Sequence, residues 1–405
     1  MPAPADTSAS RSEGGRDSVG TVDDLHASAT RLTGLDDFGP DHDDRYQEGL
    51  RVLLDSYRRE AALTAVGNKM TRALLRSALV ARLLSERGWK QHPEHADVPI
   101  ERPMFVTGMP RTGTTALHRL LTADPDHQGL ELWLTEVPQP RPRRETWDSD
   151  PVFTGIQEGY SRHHVEHPEF MGLHYMTADQ PEECWRLLRQ SMASVSFESL
   201  AHIPAYSRWL DGYDWRPAYR RHRANLQLIG LPDAGRRWVL KNPSHLYALD
   251  ALMAAYPDAL VVQTHRSPRT AVASACSLSA HAAEGWSEVF AGDRIGRDQL
   301  DLLGRGVDRF AAQRRRHDRA QFADVHYEDF VADPVATVEQ VYDRFGLPFG
   351  DAARSAVREL YRESTTGARA PAHRYALGDF GLSAAQVDER YAGYLEAHPR
   401  LAEDG

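Results

Sequence analysis

Apolar residues follow two spacings along this chain, and each change of spacing marks a new kind of element. From Leu35 to about His95 they recur at three- and four-residue steps, as in Leu50, Leu53, Leu54 and Tyr57, then Leu74, Leu75, Leu79 and Leu83. That is the period of a helix with one buried face. At Pro103 the spacing tightens into the run Met104-Phe105-Val106, a turn containing Gly and Pro follows, and helical steps resume at Leu117, Leu120 and Leu121. This predicts strand, loop and helix in succession. Three further strand-like runs are Trp238-Val239-Leu240, Ala259 to Thr264 and Val325-His326-Tyr327. The first leads to a helix pattern at Leu246, Leu249, Leu252 and Met253 with Ser244 as the expected cap. The others lead to Pro268 to Leu278 and Pro334 to Phe345, and a long polar helix is expected from Asp298 to Phe322.

Strands that alternate with helices predict a parallel sheet, because parallel neighbours need a crossover connection. Between Glu131 and Leu231 helical patches occur around Trp185 to Leu188 and Tyr219 to Leu228 without alternating strands, which reads as a helical insertion. The first thirty or so residues are rich in Ala, Ser, Gly, Asp and Arg, with too little large apolar surface to offset the entropy of ordering. The expected organisation is a flexible tail over 1–34 and a helical segment over 35–100. A nucleotide-binding domain follows over 101–350, carrying the insertion at about 131–231, and a C-terminal helical segment spans 351–405.

Composition narrows the chemistry. With 405 residues and 41% hydrophobic content the chain can build a full core, and its net charge of −10 supplies no overall positive field for nucleic acid or an acidic membrane surface. An anionic ligand must therefore be met by local groups. The two cysteines, Cys184 and Cys276, form neither a disulfide framework nor a zinc spacing and are expected as packed thiols in a reducing compartment. No run reaches the roughly 18–20 apolar residues of a membrane span, and the start lacks a signal pattern, so a cytoplasmic location is expected.

The chemistry concentrates in Gly108-Met109-Pro110-Arg111-Thr112-Gly113-Thr114-Thr115. Its glycine spacing is that of the nucleotide P-loop, GxxxxGK[ST], with Thr114 where the lysine belongs. Glycines let the backbone approach a phosphate, successive amides point into the concavity, and the next helix offers its positive end to an anion. Arg111 is the loop's own cation. The strand Ala259 to Thr264 runs into His265 and Arg266 rather than a metal-holding aspartate, so a donor handled without a metal ion is expected.

Pro-Arg-Thr-Gly-Thr-Thr after a strand resembles the 5′-phosphosulfate loop of sulfotransferases that use 3′-phosphoadenosine-5′-phosphosulfate (PAPS). His265-Arg266-Ser267-Pro268-Arg269 with Ala271 to Ser274 is similar to that family's 3′-phosphate site, which gives Arg266 and Ser274 the phosphate-binding roles. Leu240-Lys241-Asn242-Pro243 and Tyr327-Glu328-Asp329-Phe330 resemble stretches between and after the two nucleotide sites in bacterial and tyrosyl-protein sulfotransferases. The resemblance spans about Pro103 to Phe345. It implies a P-loop-like three-layer α/β sandwich with a central parallel sheet, an N-terminal helical extension and a helical insertion.

The implied activity is transfer of a sulfonate from PAPS to a hydroxyl or amine. Arg111, Thr112, Gly113, Thr114, Thr115, Arg266 and Ser274 would hold the nucleotide, and Arg374 beside Tyr375 would close over its 3′-phosphate. Lys241, at a strand end, can stabilise charge on the leaving oxygen. For the base that takes the acceptor's proton, His174, Glu131 and His245 compete, with Glu136 a further carboxylate nearby. Trp133, Phe153, Tyr160, Phe170, Tyr175, Trp185 and Phe197 can line an apolar acceptor pocket or belong to the core. Alcohols, phenols, lipids and natural products all stay open as acceptors, as does assembly with like chains. A nucleotide kinase or NTPase and an inactive nucleotide-binding protein are the competing readings.

Overall fold

Met104–Gly108 (β1), His127–Gln128 (β2), Arg237–Lys241 (β3), Leu260–His265 (β4) and Phe322–His326 (β5) form one parallel sheet in the order β2-β3-β1-β4-β5. The computed structural model describes residues 18–40, 44–166, 176–366 and 375–402. In the sheet Met104 stands beside Val239 on one side and Leu260 on the other, and Gly108 stands beside Thr264. Central β1 therefore sends its C-terminal loop out between the ends of β3 and β4.

The two-residue period of a strand divides the core. Phe105, Leu240 and Val261 face one side and join a large cluster containing Leu226, Leu249, Leu252, Val272 and Cys276. Met104, Val106, Val239, Leu260 and Val262 face the other side and meet Leu117, Leu121, Val338 and Val341. Helices thus cover both faces, giving the expected three-layer α/β sandwich.

In chain order the helices are Val22–Thr33 (α1), Tyr46–Arg59 (α2), Ala65–Gln91 (α3) and, after β1, Thr114–Thr122 (α4). Leu132–Glu136 (α5), Pro151–Glu166 (α6), Trp185–Leu188 (α7), Pro204–Asp211 (α8) and Arg216–Ile229 (α9) build the insertion. Leu249–Ala255 (α10), Pro268–Ala282 (α11) and Asp293–Arg314 (α12) follow, then Tyr327–Ala332 (α13), Pro334–Phe345 (α14) and Asp351–Thr366 (α15). Ala384–Arg390 (α16) and Ala392–Ala397 (α17) come last. Among the described residues no helix is long and apolar enough to cross a membrane.

Several expectations need correction. The segment 1–34 is not a tail over its described part: α1 packs on α3 and buries Leu25 and Ala29. Thr21 and Asp24 close a capping box at its start, so a few apolar residues on one face suffice when a partner helix covers them. Ser244 is not a cap; the Asn242 side chain accepts from the Ser244 amide at 3.0 Å and caps a 3₁₀ turn over Pro243–Tyr247 ahead of α10. Tyr327 opens α13 instead of ending β5, and α12 stops at Arg314 because the chain must turn to enter β5. Strand β2, two residues long, is too short to carry a pattern.

Candidate functional site

The loop after β1 is held by contacts that its sequence makes necessary. Gly108 has φ +146°, and a Cβ there would stand 2.4 Å from Thr264 Oγ1 and 2.6 Å from the Thr264 carbonyl oxygen. Gly113 has φ +87° and packs where a Cβ would stand 3.1 Å from the Tyr327 ring. Between them Arg111 takes φ +71°, a left-handed conformation costly for a side-chain residue and commonest at functional sites. Thr112 Oγ1 donates to the Met109 carbonyl at 2.7 Å, which closes the turn. Helix α4 starts at Thr114, so the loop amides and the positive helix end meet at the sheet's C-terminal edge.

The lysine absent from the loop arrives from the neighbouring strand. Lys241, the last residue of β3, is 1% exposed and donates from Nζ to Thr115 Oγ1 at 3.0 Å. It is no solvated strand end. Its ammonium is also ion-paired with Glu183. A backbone hydrogen bond from the Cys184 amide to the Lys241 carbonyl, 3.0 Å, fastens the Glu183 segment to the strand end. Behind the loop His118 of α4 bonds the Val239 carbonyl, and burial, followed by the nearby Lys241 charge, pushes its imidazole down to about 3. His118 stays neutral and leaves Lys241 as the local cation.

The residues expected to hold the second phosphate adjoin the loop. Arg266 follows β4 and donates from Nη1 to the Arg111 carbonyl at 2.9 Å, with its guanidinium 3.9 Å above the Tyr327 ring. Arg111 Nε in turn donates to Ser274 Oγ at 3.1 Å, and Ser274 lies buried on α11. Two arginines, a serine hydroxyl and the N-terminus of α11 therefore gather beside the loop, where β1 and β4 are neighbours. In open α/β sheets this edge, at the carboxyl ends of the strands, is where ligands sit.

Three candidate bases fare differently. Glu131 accepts from Arg141 Nε at 3.0 Å, and the same guanidinium holds Gln128 Oε1 at 2.8 Å and Asp233 Oδ2 at 2.6 Å. Glu131 is therefore occupied in a largely buried ion pair. Burial pushes its carboxyl up, and Arg141 opposes that shift. His245 is fully buried, its Nδ1 lies 2.6 Å from the Tyr219 hydroxyl, and its ring packs edge-on to Phe105. Burial keeps it neutral inside the core. His174 lies outside the described residues, as do Arg374, Phe170 and Tyr175. Glu136 is paired with Arg186, which also reaches the Tyr160 hydroxyl at 3.0 Å.

The aromatic residues divide in the same way. Trp133, Phe153 and Phe197 are core side chains, Trp133 and Phe153 meeting edge-on at 5.6 Å, while Tyr160 and Trp185 stay partly exposed. Both cysteines are buried thiols, with burial pushing Cys276 up to about 12. A cavity of about 980 Å³ runs along the open edge of β5 and touches none of the loop residues.

Sequence reasoning missed Glu183 and the Tyr327 ring under Arg266. Glu183 sits in Gln180-Pro181-Glu182-Glu183-Cys184, where the only signal was a carboxylate pair just before the buried start of a helix.

The model of the sulfotransferase family matches residues 103–351, from the residue before β1 to the start of α15. The chain belongs to the sulfotransferase family. It is 26% identical over 254 residues to the omega-hydroxy-beta-dihydromenaquinone-9 sulfotransferases Stf3 of Mycobacterium bovis and Mycobacterium tuberculosis. That alignment covers 60% of this chain and spans 63% of those curated relatives. Among solved structures, sulfotransferase STF1 of Mycobacterium tuberculosis is 59% identical with a TM-score of 0.87, covering 93% of this chain and 100% of that one. Sulfotransferase STF9 of Mycobacterium avium is 27% identical with a TM-score of 0.83, over 93% of this chain and 96% of that one.

Proposed function

We propose that this sulfotransferase takes its sulfonate from PAPS and delivers it to a hydroxyl of an apolar small-molecule acceptor, releasing adenosine 3′,5′-bisphosphate. The observation that carries the reading is Lys241 Nζ on Thr115 Oγ1: a buried ammonium at the mouth of a P-loop-like cradle that has no lysine of its own. The loop amides and the N-terminus of α4 hold the 5′ end. Lys241 stabilises the bridging oxygen as charge develops there. Arg266, Arg111 and Ser274 form a second anion site one loop away, which suits a nucleotide phosphorylated at both ends.

The acceptor oxygen bonds to sulfur as the bond between sulfur and the bridging oxygen breaks, and that electron pair passes to the 5′-phosphate. An apolar, lipid-like acceptor accords with the menaquinone derivative in the names of the Stf3 relatives. Partly exposed Tyr160, and Trp185 two residues after Glu183, offer such a molecule an aromatic surface.

The test is acceptor-dependent conversion of PAPS to the bisphosphate across a panel of alcohols, phenols and prenylated quinols. Turnover with an apolar hydroxyl compound is the expected result. Magnesium-dependent ATP hydrolysis with no PAPS turnover would replace this reading with that of an NTPase.

A further inference from the structure

We infer that Glu183 is the general base of the transfer and that its ion pair with Lys241 keeps it occupied until the donor is bound. The inference rests on the sulfonate-transfer reading above and assigns the proton acceptor which that reading leaves open.

Position is the first argument. A base must lie within hydrogen-bond reach of the acceptor hydroxyl, which itself stands next to the transferred group. Glu183 is two hydrogen bonds from the loop, through Lys241 to Thr115 Oγ1. Among the described residues no other carboxylate or imidazole bonds Lys241 or Thr115. The Glu131 carboxylate is taken by Arg141, and His245 is fully buried in the core.

Support of the side chain is the second argument. The Glu183 amide donates to Glu182 Oε1 at 2.9 Å, the Glu182 amide to the Leu130 carbonyl at 2.8 Å, and the Cys184 amide to the Lys241 carbonyl. The segment is therefore fixed on both sides of Glu183 by the sheet edge. Its side chain keeps 16% exposure while that of Lys241 keeps 2%. The carboxylate thus borders the space from which an acceptor arrives and to which a proton must leave.

The third argument is the pairing itself. An ammonium has three N–H donors, and Lys241 gives one to Thr115 and one to Glu183. When Lys241 turns toward the bridging oxygen, its hold on Glu183 weakens and a carboxylate lone pair is freed to accept the acceptor's proton. The acceptor O–H bond breaks as its oxygen bonds to sulfur. Glu183 takes that proton, and the electron pair of the broken bond to sulfur leaves with the 5′-phosphate. The bound proton then passes to solvent.

Glu183→Gln and Glu183→Asp test this with three readouts: calorimetric binding of adenosine 3′,5′-bisphosphate, release of sulfate from PAPS to water, and transfer to ring-substituted phenols of graded acidity. Glu183→Gln should bind the bisphosphate within about threefold of wild type, because the amide still bonds Lys241. It should lose about 100-fold or more in transfer to water and to weakly acidic phenols, and progressively less as the phenol becomes acidic enough to need no base. Glu183→Asp, retaining a carboxylate, should recover part of the loss. A glutamine variant that binds the bisphosphate and transfers to weakly acidic phenols at the wild-type rate would overturn the assignment, as would a loss equal for all phenols. If the wild-type protein binds no bisphosphate and consumes no PAPS, the donor reading fails and Glu183 loses its role with it.

Discussion

Gly108 illustrates how one missing side chain holds the site together. Its Cβ would press on the Thr264 hydroxyl and carbonyl oxygens at 2.4 and 2.6 Å, and Thr264 is in register with it on β4. Gly108→Ala must therefore part β1 from β4 at the point where the loop leaves the sheet. It should destabilise the fold by about 1–3 kcal/mol in denaturant titration and weaken bisphosphate binding at least about tenfold. Unchanged stability and affinity would mean that the strand ends absorb the methyl group. Residues of this kind are legible in sequence because their chemistry is local: Gly108, Arg111, Gly113 and Thr115 lie within eight consecutive positions. Glu183 is not legible in that way. Its partner lies 58 positions away, and only the fold brings the two side chains together. Glu131 shows the converse: it lies soon after α4 in sequence, and the fold pairs its carboxylate with Arg141.

At the scale of elements, the sheet behind the loop is closed by α17. His265 at the end of β4 shares one hydrogen bond with the Tyr394 hydroxyl of α17 at 2.9 Å and another with Asp324 of β5 at 2.8 Å. The His398 ring lies against it, tilted, with ring centroids 4.0 Å apart. Burial pushes the His398 imidazole down to about 4, and the charge of His265 adds to that shift. Burial alone would raise Asp324, but hydrogen bonds from Arg314 and His265 hold its carboxyl well below the usual range. Both act in one direction. An imidazole near 6.5 when unfolded and near 4 when folded binds more protons in the unfolded chain between those values, so stability is lost as pH falls through that window. Asp324 adds a loss below its ordinary 3.8. His398→Asn should flatten the fall in Tm between pH 6.5 and about 4, and α17 amides of the wild type should lose protection, relative to their intrinsic exchange rates, on acidification. An identical Tm profile in the variant would exclude His398 as the titrating group. This closure could not be read from sequence, because α16 and α17 are short helices whose partners His265, Arg269 and Asp308 lie 82 to 129 residues earlier. Among the described strands β1, β3 and β4 were readable as mostly buried apolar runs, whereas β5, with exposed Asp324 and a polar end, was caught only at Val325 and His326.

Across the whole molecule, the segment ahead of the sheet braces the insertion that carries Glu183. Arg82 of α3 is fully buried, pairs with Asp44 at 2.6 Å and donates to the Gln190 carbonyl at 3.1 Å, one turn beyond α7. Arg221 of α9 pairs with Glu86 of α3 at 2.7 Å and donates to Gln190 Oε1 at 3.1 Å. Two buried ion pairs thus meet at Gln190, seven positions after Glu183. A buried pair need not add net stability over an apolar substitute, yet removing one partner strands the other charge. Arg82→Ala should therefore cost about 3–5 kcal/mol, whereas Arg82→Met combined with Asp44→Leu should recover most of that loss. Activity separates the two roles. If the pair only filled space, the double variant would regain full turnover together with its stability. If the charges set the position of the Gln190 turn, it would refold to a similar Tm, bind the bisphosphate normally and still turn over slowly. The convergence of Arg82 and Arg221 on Gln190 favours the second outcome, because an apolar pair at 82 and 44 cannot replace the hydrogen bond to the Gln190 carbonyl. Wild-type turnover in the restored variant would rule out that positioning role.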